Sequence, residues 1–465
     1  MGIIFLGMLL CILVALNYNE SIAPFLKTIY IIIGTFIPSY ILIRLLKPNE
    51  VTKKESYFIV SFSWFFIAII GAFPLIFTHH FSIVDAIFES TSGFSTTGSS
   101  IINNVEIMPK SILFWRSLTH WIGGIGIILI VILIMPSLKI GGKNLFTLES
   151  SVGEKISPKI ASVGYRLLFI YVSLTLLEII FLLFGGMNLF DSICNSFSTI
   201  STGGFSTKNT SFADYSSYIQ YIIGIFMFFA GTNFILYYFL IKGKFEKIKL
   251  NEEFWFYLRF VLVTTVVITS ILSFKTNLSF EKSLRDSFFQ VTSFISCTGF
   301  TSTDYLLWPI SGWIIMFLLL FVGGSTGSTA GGIKMARHAI AYKNIKRLVQ
   351  QRIHPKAITS IKFNNSIVSD QNNQAVLTFI MLYFVSFFIG TILLIACNVD
   401  GKTAASSIAT AMAGVGPGIG KIGPSGNFSQ LTNSVKIIIS FFMILGRLEI
   451  YTLLIMFTPA FWKSK

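Results

Sequence analysis

Ten apolar runs, each near the length a helix needs to cross a bilayer, set the pattern of this chain. They fall near 2–17, 25–46, 56–78, 111–136, 161–184, 217–241, 256–274, 310–333, 375–397 and 434–459. Each predicts a membrane-crossing helix. The first has no Lys/Arg-rich start and no small-residue cleavage site, so it reads as a short retained span, with an interfacial helix as the alternative. Basic residues collect in alternate loops: Lys47, Lys53 and Lys54; Lys139, Lys143, Lys155 and Lys159; Lys242, Lys244, Lys247 and Lys249; and eight between Lys334 and Lys362. With Lys463 and Lys465 these make 21 of the 35 Lys and Arg, against eight in the opposite loops. That bias assigns the basic loops and both termini to the cytoplasm.

The other set of loops repeats itself. The first reads Asp85-Ala-Ile-Phe-Glu-Ser-Thr-Ser-Gly-Phe-Ser-Thr-Thr-Gly98, and Asp191 to Gly204 and Asp286 to Gly299 keep the same thirteen-residue offset from Asp to Gly. A fourth stretch, around Gly414-Val-Gly416-Pro-Gly-Ile-Gly420, occupies the same place without the Asp. Intervals of 106, 95 and 117 residues separate Gly98, Gly204, Gly299 and Gly416, an internal repeat of span, short re-entrant helix and span. Two crossings per unit bring every unit in from the same side, so four units can ring an axis along the membrane normal. The predicted fold class is an all-α membrane protein with four pseudo-fourfold-related units around a central pore, plus two extra N-terminal spans. Its divisions are 1–46 for the extra hairpin, then 47–136, 137–241, 242–370 and 371–465.

Composition sharpens this reading by exclusion. At 53% hydrophobic and 12% charged, with a mean hydropathy of +0.75, the chain carries more apolar surface than a single water-soluble core can hold. The net charge of +15 belongs to cytoplasmic loops rather than to a nucleic-acid surface. Cys11, Cys194, Cys297 and Cys397 stand singly, so neither a disulfide framework nor a zinc site follows. An intramembrane enzyme would need a convergent nucleophile, base or metal set, and the polar side chains are dispersed, without an HExxH motif.

Non-helical backbone at membrane depth is tolerated only where protein buries it or a water-filled cavity meets it. Glycine lets such backbone turn its carbonyl oxygens inward, where they can replace the water shell of a monovalent cation. The candidate carbonyls are those of Thr96, Thr97 and Gly98; Thr202, Gly203 and Gly204; Cys297, Thr298 and Gly299; and Gly414, Val415 and Gly416. The short helices before them would aim their partly negative C-termini at the same axis, favouring a cation. Close helix packing is the plainer account of one Gly/Ser/Thr patch, but it needs no shared offset from an Asp. Asp85, Asp191 and Asp286 read as N-cap or first-turn residues of these helices rather than as ion ligands.

These motifs, together with Gly323-Gly-Ser-Thr-Gly-Ser-Thr-Ala-Gly-Gly332-Ile-Lys and Gly446-Arg-Leu-Glu-Ile-Tyr, resemble the Trk/Ktr/HKT superfamily of potassium transporters over almost the whole chain. The extra N-terminal spans favour its bacterial TrkH type. The resemblance implies K+ as the bound and transported ion with no covalent cofactor, a homodimer in the bacterial inner membrane, and a cytoplasmic TrkA-type nucleotide-binding regulatory subunit. A sodium- or proton-coupled symporter of the same superfamily is the alternative, and a midplane solute transporter a more distant one. With one glycine per repeat, fewer stacked sites and looser discrimination of K+ from Na+ are expected than in tetrameric potassium channels.

Gly323, Gly324, Ser325, Thr326, Gly327, Ser328, Thr329, Ala330, Gly331 and Gly332 are a poor sequence for a helix, and Ile333-Lys334 rules out a Walker loop. A kinked helix and a flexible segment lying across the pore are both open on the residues alone, and the resemblance implies the second, a gate. Arg447 lies near the middle of the last predicted span, too deep for easy snorkelling, and needs a partner or a cavity. Glu449 is about 200° away around a helix and is not that partner. The resemblance puts Arg447 under the filter as a barrier to cations. Glu178, and Arg116 with His120 on one helix face, admit packing or a proton relay equally well. The basic stretch from Lys334 to Lys362 reads as a solvated face or a docking surface for the regulatory partner.

Overall fold

The computed structural model describes residues 2–46, 52–133, 160–355 and 359–463. The predicted basic loop from Lys139 to Lys159, Lys47 and Lys465, and the end of the fourth predicted span lie outside them. The helices run α1 Gly2–Asn17, α2 Ala23–Leu46, α3 Lys53–Phe77, α4 Ile83–Phe94, α5 Lys110–Leu133, α6 Ile160–Phe184, α7 Leu189–Ile200, α8 Ser217–Ala230 and α9 Phe234–Ile241. They continue with α10 Phe245–Lys249, α11 Glu252–Lys275, α12 Phe280–Ile295, α13 Ile310–Leu319, α14 Met335–Ile353, α15 Asp370–Ala396, α16 Gly401–Ala413, α17 Asn433–Arg447 and α18 Tyr451–Leu454.

Helices α2, α3, α6, α11 and α15 contain apolar stretches of 20 to 27 residues, long enough to cross a bilayer, and α5 adds a helix of 24 residues. Their outer faces are large and apolar: Phe169, Val263 and Ile392 are more than 60% exposed, as side chains solvated by lipid should be. Helix α1 is shorter, at 16 residues, but it is packed into the protein. A Cβ on Gly7 would sit 3.1 Å from Trp115 of α5, and Met8 and Cys11 are fully buried.

Three predicted spans are not single straight helices. The segment 217–241 bends by 96° between α8 and α9, because Asn233 caps α9 through a 2.8 Å bond from the Ile235 N–H while the Gly231 carbonyl accepts from Ser325. The segment 310–333 is helical only in α13, and the backbone from Gly323 onward turns back on itself. The segment 434–459 breaks after Arg447 and bends by 111°, with Glu449 and Ile450 at φ 53° and 57°. Arg447 is therefore the last residue of α17 rather than the middle of a long helix. The basic stretch after Lys334 is not a loop: most of it forms α14, followed by a short antiparallel pairing of Lys362–Phe363 with Ser366–Ile367.

Four short helices, α4, α7, α12 and α16, stand between the spans. Side chains of Ser82, Asn188 and Asp400 cap three of them sixteen residues before Gly98, Gly204 and Gly416. Asp85 and Asp191 answer their caps: Ser82 Oγ donates to Asp85 Oδ2 at 2.8 Å, and Asn188 Nδ2 donates to Asp191 Oδ2 at 2.6 Å. Helix α12 starts one turn earlier, at the Ser279 cap, which moves Asp286 into the second turn and corrects the cap or first-turn role expected for it. The fourth unit, which lacks the spaced Asp, uses Asp400 itself. The Thr403 N–H donates to its carboxylate at 3.0 Å and holds its pKa below the usual range. Asp400→Ala should therefore cost about 1 kcal/mol of stability, read as a lower Tm in detergent, whereas Asp400→Ser should restore most of it.

Candidate functional site

Each short helix ends in the same turn. Thr96, Thr202, Cys297 and Gly414 adopt φ of 54°, 56°, 61° and 73°, and two residues later Gly98, Gly204, Gly299 and Gly416 adopt 78°, 87°, 80° and 91°. The intervening N–H reaches back five residues in all four: Thr97 to Ser92 O, Gly203 to Ser198 O, Thr298 to Ser293 O and Val415 to Thr410 O, at 2.7 to 3.1 Å. This is a Schellman closure, which ordinarily takes glycine at its left-handed position. Two β-branched threonines and a cysteine occupy it here, a strained arrangement that persists only when the surroundings enforce it. Part of that enforcement is local, from the 2.7 Å hydroxyl pairs Ser95–Thr97 and Ser296–Thr298.

The four turns meet. A Cβ added to Gly98 would lie 2.2 Å from the carbonyl oxygen of Gly203, one on Gly204 2.2 Å from that of Thr298, and one on Gly299 1.6 Å from that of Val415. A Cβ on Gly416 would lie 2.8 Å from the oxygen of Thr97. Each glycine therefore presses against a carbonyl of the next turn, and the fourth returns to the first. All four glycines line one open cavity, whose walls are the residues that follow them, among them Ser99, Ser100, Phe205, Thr301 and Pro417.

The Gly323 to Gly332 segment lies on the opposite side of the ring, against the C-terminal carbonyls of the short helices. Thr329 Oγ1 donates to Ile200 O at 3.0 Å, and a Cβ on Gly331 would meet Ala413 O at 2.1 Å. Gly332 approaches the Cys297 thiol. Arg447 joins this layer: its Nη1 donates to Thr329 O at 2.8 Å and its Nη2 to Gly123 O at 3.4 Å, in a site only 6% exposed. Glu449 faces elsewhere and pairs with Arg337 at 2.5 Å.

Glu253, which the sequence did not single out, and Lys334, counted there only among the basic residues after the segment, hold this stretch of backbone. Glu253, 2% exposed at the start of α11, accepts from the Thr326 N–H at 2.7 Å and from the Ala336 N–H at 3.0 Å through one oxygen. Lys334 folds back so that its ammonium donates to Ala330 O. Glu253 looks like an ordinary first-turn acid at a cytoplasmic helix end, and only tertiary folding brings it to a loop 73 residues away. Arg116 and His120 also prove to be buried beside the turns, the former bonded to Glu89 at 2.8 Å. Glu178 is fully buried on α6.

Bilayer-length apolar helices, with the broken backbone of four turns meeting beside one open cavity, mark a multi-pass membrane protein. The family model for TrkH, described as cation transport protein, matches residues 25–464, and the chain belongs to that family. It is 35% identical to the Trk system potassium uptake protein TrkH of Salmonella typhimurium over 426 residues, covering 90% of this chain and 88% of that one. Identity to the Escherichia coli K12 protein of the same name is 34% with the same coverage. The crystal structure of the potassium transporter TrkH from Vibrio parahaemolyticus superposes with a TM-score of 0.89 at 30% identity, covering 99% of this chain and 97% of that chain. The family is one of transporters, and the enzyme alternative is set aside on that ground.

Glu253→Ala should leave two N–H donors unpaired, that of Ala336 buried and that of Thr326 half-buried, a cost of about 1–3 kcal/mol for the buried one and less for the other. Faster amide exchange across residues 323–336, with Glu253→Gln recovering most of the protection, is the expected outcome; equal exchange in both variants would deny the tether.

Proposed function

We propose that this protein is the ion-conducting subunit of a potassium uptake system, passing K+ through a filter of backbone carbonyls formed by the four turns. The observation that carries the reading is the closed cycle of glycine-to-carbonyl contacts from Gly98 to Gly203, Gly204 to Thr298, Gly299 to Val415 and Gly416 to Thr97. A cation on that axis exchanges water for carbonyl oxygens of Thr96–Gly98, Thr202–Gly204, Cys297–Gly299 and Gly414–Gly416, aided by the partly negative ends of four short helices. The units 47–136, 137–241, 242–370 and 371–465 each supply one turn, and 1–46 stands outside the ring. The names of the similar proteins, all potassium uptake proteins, support K+ as the ion.

In this reading the cavity is the outer vestibule, and the Gly323 to Gly332 segment, lying across the other end, is the gate. Arg447 places a fixed positive charge beside that gate and raises the barrier to an entering cation. The chain works as a homodimer in the inner membrane with both termini cytoplasmic. A TrkA-type nucleotide-binding subunit acts on the gate through α14, which begins three residues after Gly332 and projects Lys346, Arg347 and Arg352.

Substituting Ser for Gly98, Gly204, Gly299 or Gly416 drives a side chain into the neighbouring carbonyl. Potassium flux into proteoliposomes should fall at least about tenfold, equivalent to about 1.4 kcal/mol, and growth on limiting K+ should fail. Unchanged flux in all four would refute the filter. Arg447→Gln should raise K+ flux, and a flux equal to the parent's would remove the barrier role.

A further inference from the structure

Phe205, which follows Gly204 directly, is 2% exposed and is gripped from α5. Its ring stacks on the His120 imidazole with centroids 4.1 Å apart and planes 18° apart, and the Arg116 guanidinium lies 4.1 Å from the same centroid. Both groups therefore pack against the ring. Arg116 and His120 are four residues apart on α5, the spacing that aligns side chains along one helix face. His120 also fixes the residue before Gly204, since a Cβ on Gly203 would lie 2.1 Å from its Nδ1.

The guanidinium is itself anchored to the first turn. Arg116 Nε donates to Glu89 Oε1 at 2.8 Å, and its Nη2 donates to Ser100 Oγ at 3.2 Å. The same carboxylate accepts from Ser100 Oγ at 2.9 Å and from the Ile101 N–H at 2.9 Å, the two residues that carry the first loop away from Gly98. Glu89 thus holds the outgoing strand of the first loop, while its partner Arg116 holds the aromatic anchor of the second. The corresponding positions, nine residues before each glycine, are Asn195, Gln290 and Ser407, none of them charged. The Glu89–Arg116 pair thus sits at the junction of the first and second loops.

We infer that Glu89, Arg116 and His120 are positioning residues for ion discrimination, setting the second filter loop against the first through Phe205. The inference rests on the filter proposed above. Discrimination between K+ and Na+ depends on where carbonyls sit, so loosening one junction should admit Na+ before it abolishes conduction. Breaking only one member of a buried ion pair leaves an uncompensated buried charge and strongly destabilises a fold, so the pair is better removed together as Glu89→Gln with Arg116→Met.

The test is the Na+ to K+ permeability ratio from reversal potentials in proteoliposomes, measured on Phe205→Leu, on Glu89→Gln/Arg116→Met and on the combination, with detergent monodispersity as the folding control. The ratio should rise roughly threefold to tenfold in each, the range set by losing a desolvated cation–π contact. The combination should be no worse than Phe205→Leu alone, and Arg116→Lys should recover part of the discrimination. If the ion-pair variant fails to assemble, Phe205→Leu, which leaves the pair intact, decides. Well-folded variants with the parental ratio, alongside a Gly204→Ser variant that changes it, overturn the brace and leave the filter standing. No change in any of them, Gly204→Ser included, overturns both.

Discussion

A peptide group released from a helix inside a bilayer has no water to bond, and protein must take the place of that water. Four chain segments leave their helices at this depth, at Ser95, Ser201, Ser296 and Gly414. Two N–H groups of each turn are satisfied by its own helix, one of them through the five-residue reach-back. Gly416 O accepts from Ser99 Oγ at 3.4 Å, and each glycine packs its bare Cα against a carbonyl of the next turn. That contact leaves no room for a side chain, which is why glycine recurs there and why the loops close on one another.

The ring is supported from both sides by groups that would be costly to bury alone. Toward the cavity, Glu89 and Arg116 neutralise each other while bonding to backbone and hydroxyl of the first loop. Toward the Gly/Ser/Thr segment, Arg447 and Lys334 donate to carbonyls of that segment, and Glu253 accepts from the N–H of Thr326 within it and of Ala336 just beyond it. A charge that satisfies backbone in this way restrains an otherwise irregular chain without converting it to helix. The segment is ordered by these charges together with backbone bonds such as Gly323 N–H to Ile333 O and Ser325 N–H to Gly231 O.

The bends in the spans have the same origin. Helix α8 stops where Gly231 gives its carbonyl to Ser325, and α9 starts where the Phe234 N–H takes Gly327 O. A neighbouring broken segment thus substitutes for the lost turns of helix. The break after Arg447 lets Glu449 turn toward Arg337 while Arg447 turns toward Thr329, so two oppositely charged residues two positions apart serve different partners.

Much of this protein is legible in one dimension. Bilayer-length apolar runs, alternation of basic loops and the thirteen-residue offset from Asp to three of the four glycines are local properties, and helix geometry turns the apolar runs and the offset directly into spans and short helices. The glycines of the turns are legible for the same reason, since positive φ is a demand of the backbone itself. What needed the folded molecule were contacts between residues far apart in the chain. These are the order in which the turns touch, the path of α17 beyond Arg447, the reach of Glu253 to Thr326, and the burial of Phe205 against Arg116 and His120. Charge and aromaticity at those positions carry no periodic signal. Their partners are chosen by which helices pack side by side, a choice made only once the whole ring has assembled.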